Sequence, residues 1–540
     1  MPRMIFCGAI ACFSLMAGLA QAQQPSTAEL IAQIEALKRR VDELESRQSV
    51  PKRQPEYKRV AAPTSKQTTA APDALAAAAP ATRSATPRSA MPAPPPTSGN
   101  IAGLRAPEPM GSQFEDALRS DLPGLSIRIP GTQSEVRIYG FAKVSAHRDF
   151  NGRNQTDAPA PQGIPLAGSP NDIQGGDFGM TARFSRIGLD TRSLTSFGTL
   201  ETRIEGDFGG GAAASNNAVF RLRQAWAELG TETFRVLFGQ ANSLWNEGMY
   251  ETLIDATNLN QSFVRQPQLR VIATLAPGLT GQVSLETPDT QYTSDAGIVT
   301  SGGVFNGGLS PAFTSLPDLL ARLTYRNDGL EVDVRGLLRQ LSIRTAGTPA
   351  APPSFTDDEL GWGVAGHVRF PMRWVSTAFG ADQLIGMAYY GEGIGRYFAG
   401  NTSGQDALTS IGLLGTTVSF DPLTTYGATL AYRRFWTEQL RSNFAYSYAR
   451  QEYPAYALGF TPGSAPATSL NSEMQQAIVN LIWSPFAQIN GGTVNTGWLD
   501  VGLEYVYTRR DVFGGAIATA AAGNGYGVAN RILAAGVGRF

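Results

Sequence analysis

Cysteine and histidine are scarce in this chain, which has only two of each among 540 residues. Most zinc sites, thiol nucleophiles and histidine-dependent catalytic designs need more of these side chains. An excess of charge of one sign is also missing, because 44 basic residues face 45 acidic ones. Without a basic field, nucleic acid is not an expected partner. We therefore expect no enzyme, no cofactor and no metal site.

Long hydrophobic runs are missing too. The longest apolar stretch is near the N-terminus, where Arg3 precedes about 16 apolar residues and small residues follow at 20–22. A helix needs about 20 such residues to cross a bilayer, so this pattern predicts a cleaved signal peptide at 1–22. Cys7 and Cys12 both lie within it. The mature chain would then have to fold without disulfides.

Two segments of unusual composition follow the signal peptide. Residues 23–48 contain an apolar seam with spacings of 4 and 3, which is typical of a short coiled coil; the seam consists of Leu30, Ile34, Leu37, Val41 and Leu44. An amphipathic helix that docks on a neighbouring domain is the alternative. Residues 51–110 hold 12 Pro and 15 Ala, which cannot bury enough apolar surface to fold. We predict a periplasmic coiled-coil helix at 23–48 and a disordered linker at 49–123.

The composition changes near Gly124, since 46 of the 50 aromatic residues lie in the last 417 residues. Several segments there alternate strictly between an apolar and a polar face over eight or more residues: 135–147, 199–208, 319–326, 330–339, 362–370 and 499–507. A soluble β-sandwich also alternates, but its strands usually have five or six residues. Strands of about ten with aromatic ends favour a membrane barrel. The sequence therefore predicts an all-β transmembrane barrel of about 16 antiparallel strands at 124–540, with 18 strands also fitting the length.

Several motifs in this region resemble one family, the DcaP-like porins of the Gram-negative outer membrane. They include EVRIYGFA at 135–142, VLFGQANSLW at 236–245, FVRQPQLRV at 263–271, PDLLARLTYR at 317–326 and GLEYVYTRR at 502–510. The resemblance covers most of 124–540. It implies 16 strands, a homotrimer in the outer membrane, and passive passage of small anionic solutes such as dicarboxylates. The family also places a short coiled coil and a linker before the barrel.

Arginine dominates the basic residues of the barrel region. Residues 124–540 contain 29 Arg and a single Lys. A planar guanidinium can hold a carboxylate with two parallel hydrogen bonds, whereas an arginine that faces lipid near the midplane costs about 2 to 4 kcal/mol. We therefore predict that the arginines of the polar strand faces line a water-filled pore; composition bias is the alternative. The predicted pore-lining residues are Arg137, Lys143, Arg186, Arg203, Arg221, Arg223, Arg322, Arg335 and Arg339.

A long insertion between Gly239 and Gln268 follows the fifth readable strand, where porins commonly fold a loop into the barrel. It carries the candidate constriction residues Trp245, Glu247, Glu251 and Asp255. Acidic groups opposite a wall of Arg137, Arg186, Arg203, Arg221 and Arg223 would set a transverse field that orients dipolar or anionic solutes. A surface loop or a trimer contact is the alternative.

Three other functions are alternatives to an anion channel. A barrel enzyme would need a nucleophile and a base, but His147 and His367 are the only imidazoles and no G-x-S-x-G pattern occurs. A phosphate-selective or general porin is a second alternative, although lysine-rich pores fit poorly with one barrel lysine. The third is a structural barrel whose N-terminal segments tether the outer membrane to the cell wall. Its expected partners would be outer-membrane lipid and peptidoglycan.

Overall fold

The computed structural model describes residues 125–151, 157–211, 218–246, 250–255, 258–295, 297–300, 311–344, 356–398, 405–410, 419–490, 493–514 and 523–540. The predicted signal peptide, coiled coil and linker at 1–123 lie outside the described residues.

Sixteen strands form the wall of a barrel. In chain order they are β1 (Ser134–Asn151), β2 (Arg186–Thr195), β3 (Gly198–Asp207), β4 (Arg221–Gly230), β5 (Phe234–Asn242), β6 (Arg265–Ala276), β7 (Leu279–Glu286), β8 (Asp318–Asn327), β9 (Leu330–Arg344), β10 (Thr356–Pro371), β11 (Gln383–Glu392), β12 (Thr424–Phe435), β13 (Leu440–Gln451), β14 (Asn471–Trp483), β15 (Leu499–Val512) and β16 (Tyr526–Arg539). Each strand pairs antiparallel with the next, and β16 pairs with β1. The barrel is therefore closed, as the sequence predicts, and the number of strands is 16 rather than 18.

Short strands and helices lie outside this set. Leu125–Arg128 pairs with residues 135–138 of β1, and Phe178–Thr181 pairs with residues 145–148 of the same strand. Loop segments Gln291–Ser294, Gly297–Thr300, Ala407–Thr409 and Phe420–Pro422 form a four-stranded sheet, and Gln488–Asn490 pairs with Thr493–Asn495. The helices are Pro161–Gly163, Pro170–Ile173, Met372–Trp374, Thr377–Phe379, Gly395–Phe398, Ala455–Gly459 and Ala465–Ser469. Across the described ranges, no helix has the length and apolar character needed to cross a membrane.

The predicted alternation is present in the wall. In β3, Ile204 is 55% exposed on the outer surface, while its neighbour Glu205 is 4% exposed on the inside. The same holds in β9, where Val334 faces out and Arg335 faces in. Because closure pairs every wall strand on both sides, the backbone polar groups of the wall are satisfied without water.

The two ends of the barrel differ. Strands β2 and β3, or β8 and β9, are joined by two-residue turns, whereas long segments such as 243–264 and 393–423 connect strands at the opposite end. Short turns lie on the periplasmic side of outer-membrane barrels and long loops outside. Tryptophans are exposed on the short-turn side, at Trp436, Trp483 and Trp498. This placement fits an aromatic belt at the inner head-group level.

The seam of the barrel is tight at one glycine. The amide of Gly140 donates to the carbonyl of Phe540, and the amide of Phe540 donates to the carbonyl of Gly140, both at 3.1 Å. A Cβ atom on Gly140 would come within 2.3 Å of the Arg186 carbonyl oxygen and 2.8 Å of the Phe540 ring. Gly538, on the next strand of the same seam, has no atom within 4 Å of such a Cβ.

We predict that Gly140→Ala destabilises barrel closure by about 1 to 3 kcal/mol, because the methyl group would push β1 away from β2 and the C-terminus. The measurement is the fraction of protein that remains a folded barrel in detergent at each temperature of a heating series. Gly538→Ala is the matched control and should leave the transition unchanged. Equal behaviour of the two variants would contradict the tight seam.

Candidate functional site

The loop after β5 crosses the inside of the barrel. Its described residues run from Ser243 to Val264, with gaps at 247–249 and 256–257. The first turn is held on the near wall, where the amide of Leu244 donates to Glu286 at 2.8 Å. Its carbonyl groups are held as well, because Arg335 donates to Trp245 O and Arg322 donates to Asn246 O. We call residues 243–264 the crossing loop.

The middle of the crossing loop is held by charged side chains from the opposite wall. The two oxygens of Glu504 accept the amides of Leu253 and Ile254 at 2.7 and 2.9 Å. Arg441 forms a bidentate ion pair with Glu251, at 2.6 and 2.7 Å. A carboxylate that accepts two backbone amides removes two donors that would otherwise be buried without partners.

Lys143, the single lysine of the barrel region, holds the same part of the loop from β1. Its ammonium group donates to Leu253 O at 2.6 Å and pairs with Asp255 at 2.7 Å. Burial raises the pKa of Asp255, and the charge of Lys143 opposes that rise. Lys143 is only 8% exposed. Its contacts are therefore with the loop rather than with open water.

The far end of the loop is bonded to β12, β13 and β14. Leu259 N donates to Gln476, and the amide group of Asn260 donates to the backbone carbonyls of Ala428 and Tyr448, each at 2.9 Å. Asn260 has a positive φ of 64°. A side chain at Gly427 would collide with Asn260 Oδ1, since a Cβ there would lie 2.4 Å away. The glycine thus lets the loop approach the wall.

Apolar packing fills the side of the lumen next to β8–β16. Leu244, Trp245, Tyr250, Leu253 and Ile254 of the crossing loop pack into one cluster with inward-facing aliphatic or small residues of these strands; these wall residues are Leu320, Leu337, Ala365, Ile385, Met387, Ala431, Ala445, Ile478, Ile482, Val506, Leu533 and Ala535. Trp245 is completely buried. Each large side chain removed from water contributes about 1.5 to 3 kcal/mol, so the loop is fixed to this half of the wall.

The wall of β1–β4 carries a different surface, a connected network of arginines and acids. Asp190 pairs with Arg137 and, at 2.8 Å, with Arg203. One level higher, Glu205 pairs with Arg186 at 3.1 Å and accepts from the hydroxyl of Tyr139.

At the top of this wall, Asp207 pairs with Arg223 and, at 2.6 Å, with Arg221. Arg223 also approaches Glu205 at 3.8 Å, which joins the levels into one network. Arg265, at the start of β6, interacts electrostatically with Arg186, Arg221 and Arg223. We call this set the arginine wall; its members are Arg137, Arg186, Arg203, Arg221, Arg223 and Arg265.

Exposure separates three arginines of this set from Arg335 and Arg339. The side chains of Arg186, Arg203 and Arg221 are 28%, 29% and 39% exposed. Those of Arg335 and Arg339 are 1% and 0% exposed. The expectation that Arg335 and Arg339 line an open pore is therefore corrected.

Arg335 and Arg339 anchor loops instead. Arg335 pairs with Asp333 at 2.9 Å and donates to the crossing loop. Arg339 pairs with Asp406 at 2.7 Å and donates to Asp289 O at 2.6 Å, which ties two long external loops to β9. Arg322 has an intermediate position, with a 12% exposed side chain that pairs with Asp333 at 2.8 Å.

The predicted acidic face of the crossing loop is also corrected. Glu251 forms an ion pair with Arg441 on β13, and Asp255 forms one with Lys143 on β1. Neither acid is therefore unpaired opposite the arginine wall. Glu247 lies outside the described residues. The acids that face these arginines come from the wall itself, at Asp190, Glu205 and Asp207.

Sequence reasoning missed several inward arginines. Arg270 donates to Gln268 Oε1 and Asn242 O, and Arg433 donates to Asn443 Oδ1 and Gln383 Oε1, all neutral acceptors. The alternation of polar and apolar residues predicts Arg270 on the inner face, because polar residues occupy every second position before it in β6. Nothing in the sequence shows that Arg441 and Glu504 meet the crossing loop, since the partners lie 190 and about 250 residues away.

One group of side chains has the types that bind metals. Ligand atoms of Glu331, Asp333 and His367 all lie within 4.8 Å of one another. Arginines already bind these acids, because Arg326 pairs with Glu331 at 3.1 Å and Arg322 with Asp333 at 2.8 Å. Further cationic charge would be repelled here, so we read the group as an ion-pair network that supports β8–β10.

The closed barrel with a loop folded into its lumen is that of the porin class of outer-membrane proteins. Residues 124–295 match the model of the family described as DcaP outer membrane protein, which confirms the resemblance seen in the motifs. The chain is thus a β-barrel of the Gram-negative outer membrane that resembles DcaP. Among curated proteins, no significant match was found.

Solved structures share this fold. The outer membrane channel DcaP of Acinetobacter baumannii is 22% identical, with a TM-score of 0.57 over 75% of this chain and 97% of that one. An anion-selective porin from Comamonas acidovorans is 11% identical, with a TM-score of 0.43 over 75% of this chain and 100% of that one. The first likeness confirms the architecture.

We predict that Glu504→Gln loosens the crossing loop, because one acceptor oxygen becomes a donor that faces a backbone amide, at a cost of about 1 to 3 kcal/mol. The measurement is hydrogen exchange of the peptide that contains Leu253 and Ile254, which should become faster. Glu473→Gln, on the lipid side of the neighbouring strand β14, is the control and should leave it unchanged. Unaltered exchange in Glu504→Gln would show that the apolar packing alone holds the loop.

Proposed function

We propose that this barrel is a passive diffusion channel for small anionic solutes, with dicarboxylates as the substrate class. The observation that carries the proposal is the charge of the arginine wall. Among the described residues, its six arginines pair with or lie near three wall carboxylates, those of Asp190, Glu205 and Asp207. Arg186 also interacts with Asp255, but the charge of Asp255 is balanced by Lys143. The difference is three positive charges, on the side of the lumen that the crossing loop does not fill.

The arrangement suits carboxylates. Exposed guanidinium groups occur at successive levels of the wall, from Arg203 through Arg186 to Arg221. Each can offer two parallel hydrogen bonds to a carboxylate. A series of weak sites is what conduction requires, since a solute must enter each site and also leave it.

The alternatives gain less support. A lysine-based phosphate channel has little basis here, because Lys143 is paired with Asp255. The wall-tethering barrel depends on residues 23–123, which lie outside the described residues. The homotrimer implied by the family resemblance stays a prediction.

The first test is the reversal potential of the protein in planar bilayers under a salt gradient. An excess of positive charge along the arginine wall should make chloride more permeant than potassium. Selectivity should fall as the salt concentration rises, because screening shortens the reach of the arginines. Cation preference, or no conductance, would overturn the proposal.

The second test removes two exposed members of the arginine wall. We expect Arg203→Ala with Arg221→Ala to lower dicarboxylate flux several-fold while neutral-sugar flux is maintained or rises, because charge is lost and the lumen widens. The measurement is liposome swelling with matched solutes. Arg434→Ala is the control, since Arg434 pairs with Asp382 outside the lumen and should leave both fluxes unchanged. Equal loss of both fluxes would mean that the arginines set pore width only.

A further inference from the structure

Three grooves lie side by side on the lipid-facing surface of β13–β16. Two are apolar and lie towards the middle and the short-turn end, with Leu481 and Leu503 lining both. The third has a volume of about 610 Å³ and lies at the long-loop end of the same strands. It is lined by Arg450, Ser472, Glu473, Gln475, Tyr507, Arg509, Asp511, Phe513 and Gly514.

The polar groove is unusual for its position. Near the middle of these strands most outward side chains are apolar or aromatic, as at Tyr446, Val479 and Leu503, which are 42% to 54% exposed. Strand register places Arg450 beside Glu473, and Glu473 beside Asp511, so charged side chains of three strands form one row across the outer surface. This row lies at the height of the outer head groups, because it is at the end that carries the long loops.

The two arginines of the groove are available to a ligand. Arg450 is exposed, and no carboxylate of the described chain lies within 4.0 Å of its guanidinium. Nε and Nη2 of Arg509 donate to Asp511 on the same strand, at 2.9 and 2.8 Å, so Nη1 is the nitrogen that can meet a ligand on this 40% exposed side chain. The guanidinium of Arg509 also lies 5.3 Å from the centre of the Tyr526 ring, which orients it.

We propose that this face binds a phosphate-bearing glycolipid of the outer leaflet, with the phosphates on Arg450 and Arg509 and the acyl chains in the apolar grooves beneath. Arginine can hold a phosphate group with two parallel hydrogen bonds. A free phosphate ion would use the polar groove alone. The polar groove at the head-group end and the apolar grooves nearer the middle share strands β13–β15, and this order along the strands fits an amphipathic ligand.

The test uses the full-length protein in detergent with lipid A, the diphosphorylated glucosamine anchor of the outer leaflet. Native mass spectrometry should detect retained lipid A, and Arg450→Gln with Arg509→Gln should weaken its binding at least tenfold. Monophosphoryl lipid A should bind more weakly than the diphosphorylated form. Arg434→Gln, a lipid-facing arginine at the opposite rim that pairs with Asp382, is the matched control and should bind as the native chain does.

Several results would overturn the proposal. These are equal binding by the double variant and the native chain, displacement of lipid A by millimolar inorganic phosphate, or equal retention of zwitterionic phosphatidylethanolamine. Protection of the groove by a second copy of the chain in lipid-free detergent would assign this face to subunit contact instead. If the double variant fails to fold, Arg450→Gln alone serves, because Arg450 has no ion pair to lose among the described residues.

Discussion

The carboxylate of Glu504 receives two consecutive backbone amides of the crossing loop, and the organisation of the lumen depends on contacts of this kind. A chain segment inside a barrel has no sheet to join, so its polar backbone groups must find side chains on the wall. Glu286, Arg335 and Lys143 supply such side chains, and so do Glu504 and Gln476. In the reverse direction, Asn260 of the loop donates to backbone carbonyls of the wall. Buried charges are costly unless paired, and here the backbone dipoles of the loop and the opposite charges of neighbouring residues pair them.

The same contacts explain why one half of the inner wall is apolar. Once the loop lies against β8–β16, the wall beneath it no longer meets water, and aliphatic residues such as Ile478 and Ile482 can face inwards. Their outward neighbours Val479 and Leu481 meet lipid. Over residues 477–483, β14 is then largely apolar on both faces, and the alternation of polar and apolar residues is weak there.

This explains which parts of the fold could be predicted from the sequence. The segments recognised as strands, such as 199–208 and 499–507, fall within or one residue beyond the strands of the structure, because charged residues mark their inner faces. Strands β11 and β14 lack that signal, since the crossing loop rather than water covers their inner faces. The number of strands came from the family resemblance, and the length alone allowed 18.

The sequence predicts on which face of the wall each arginine lies, but it does not predict how far the side chain is buried. Alternation places Arg203 and Arg335 alike on the inner face, yet one is 29% exposed and the other 1%. What separates them is the path of the crossing loop, which depends on partners up to about 250 residues apart. Local sequence carries no information on such pairings, so Arg335 and Arg339 were assigned to the pore although they hold loops.

The acids of the arginine wall have a physical role in the proposed function. Six unpaired guanidinium groups in a narrow lumen would repel one another and would hold a dicarboxylate too tightly for it to leave. Asp190, Glu205 and Asp207 lower both effects, because each shares its oxygens between two arginines and fixes their orientation. Sharing leaves each guanidinium with free donors. In the proposed channel, the three positive charges left over attract anions. The ion pairs keep the arginines in place, so that the wall binds each solute without reorganisation and weakly enough to release it.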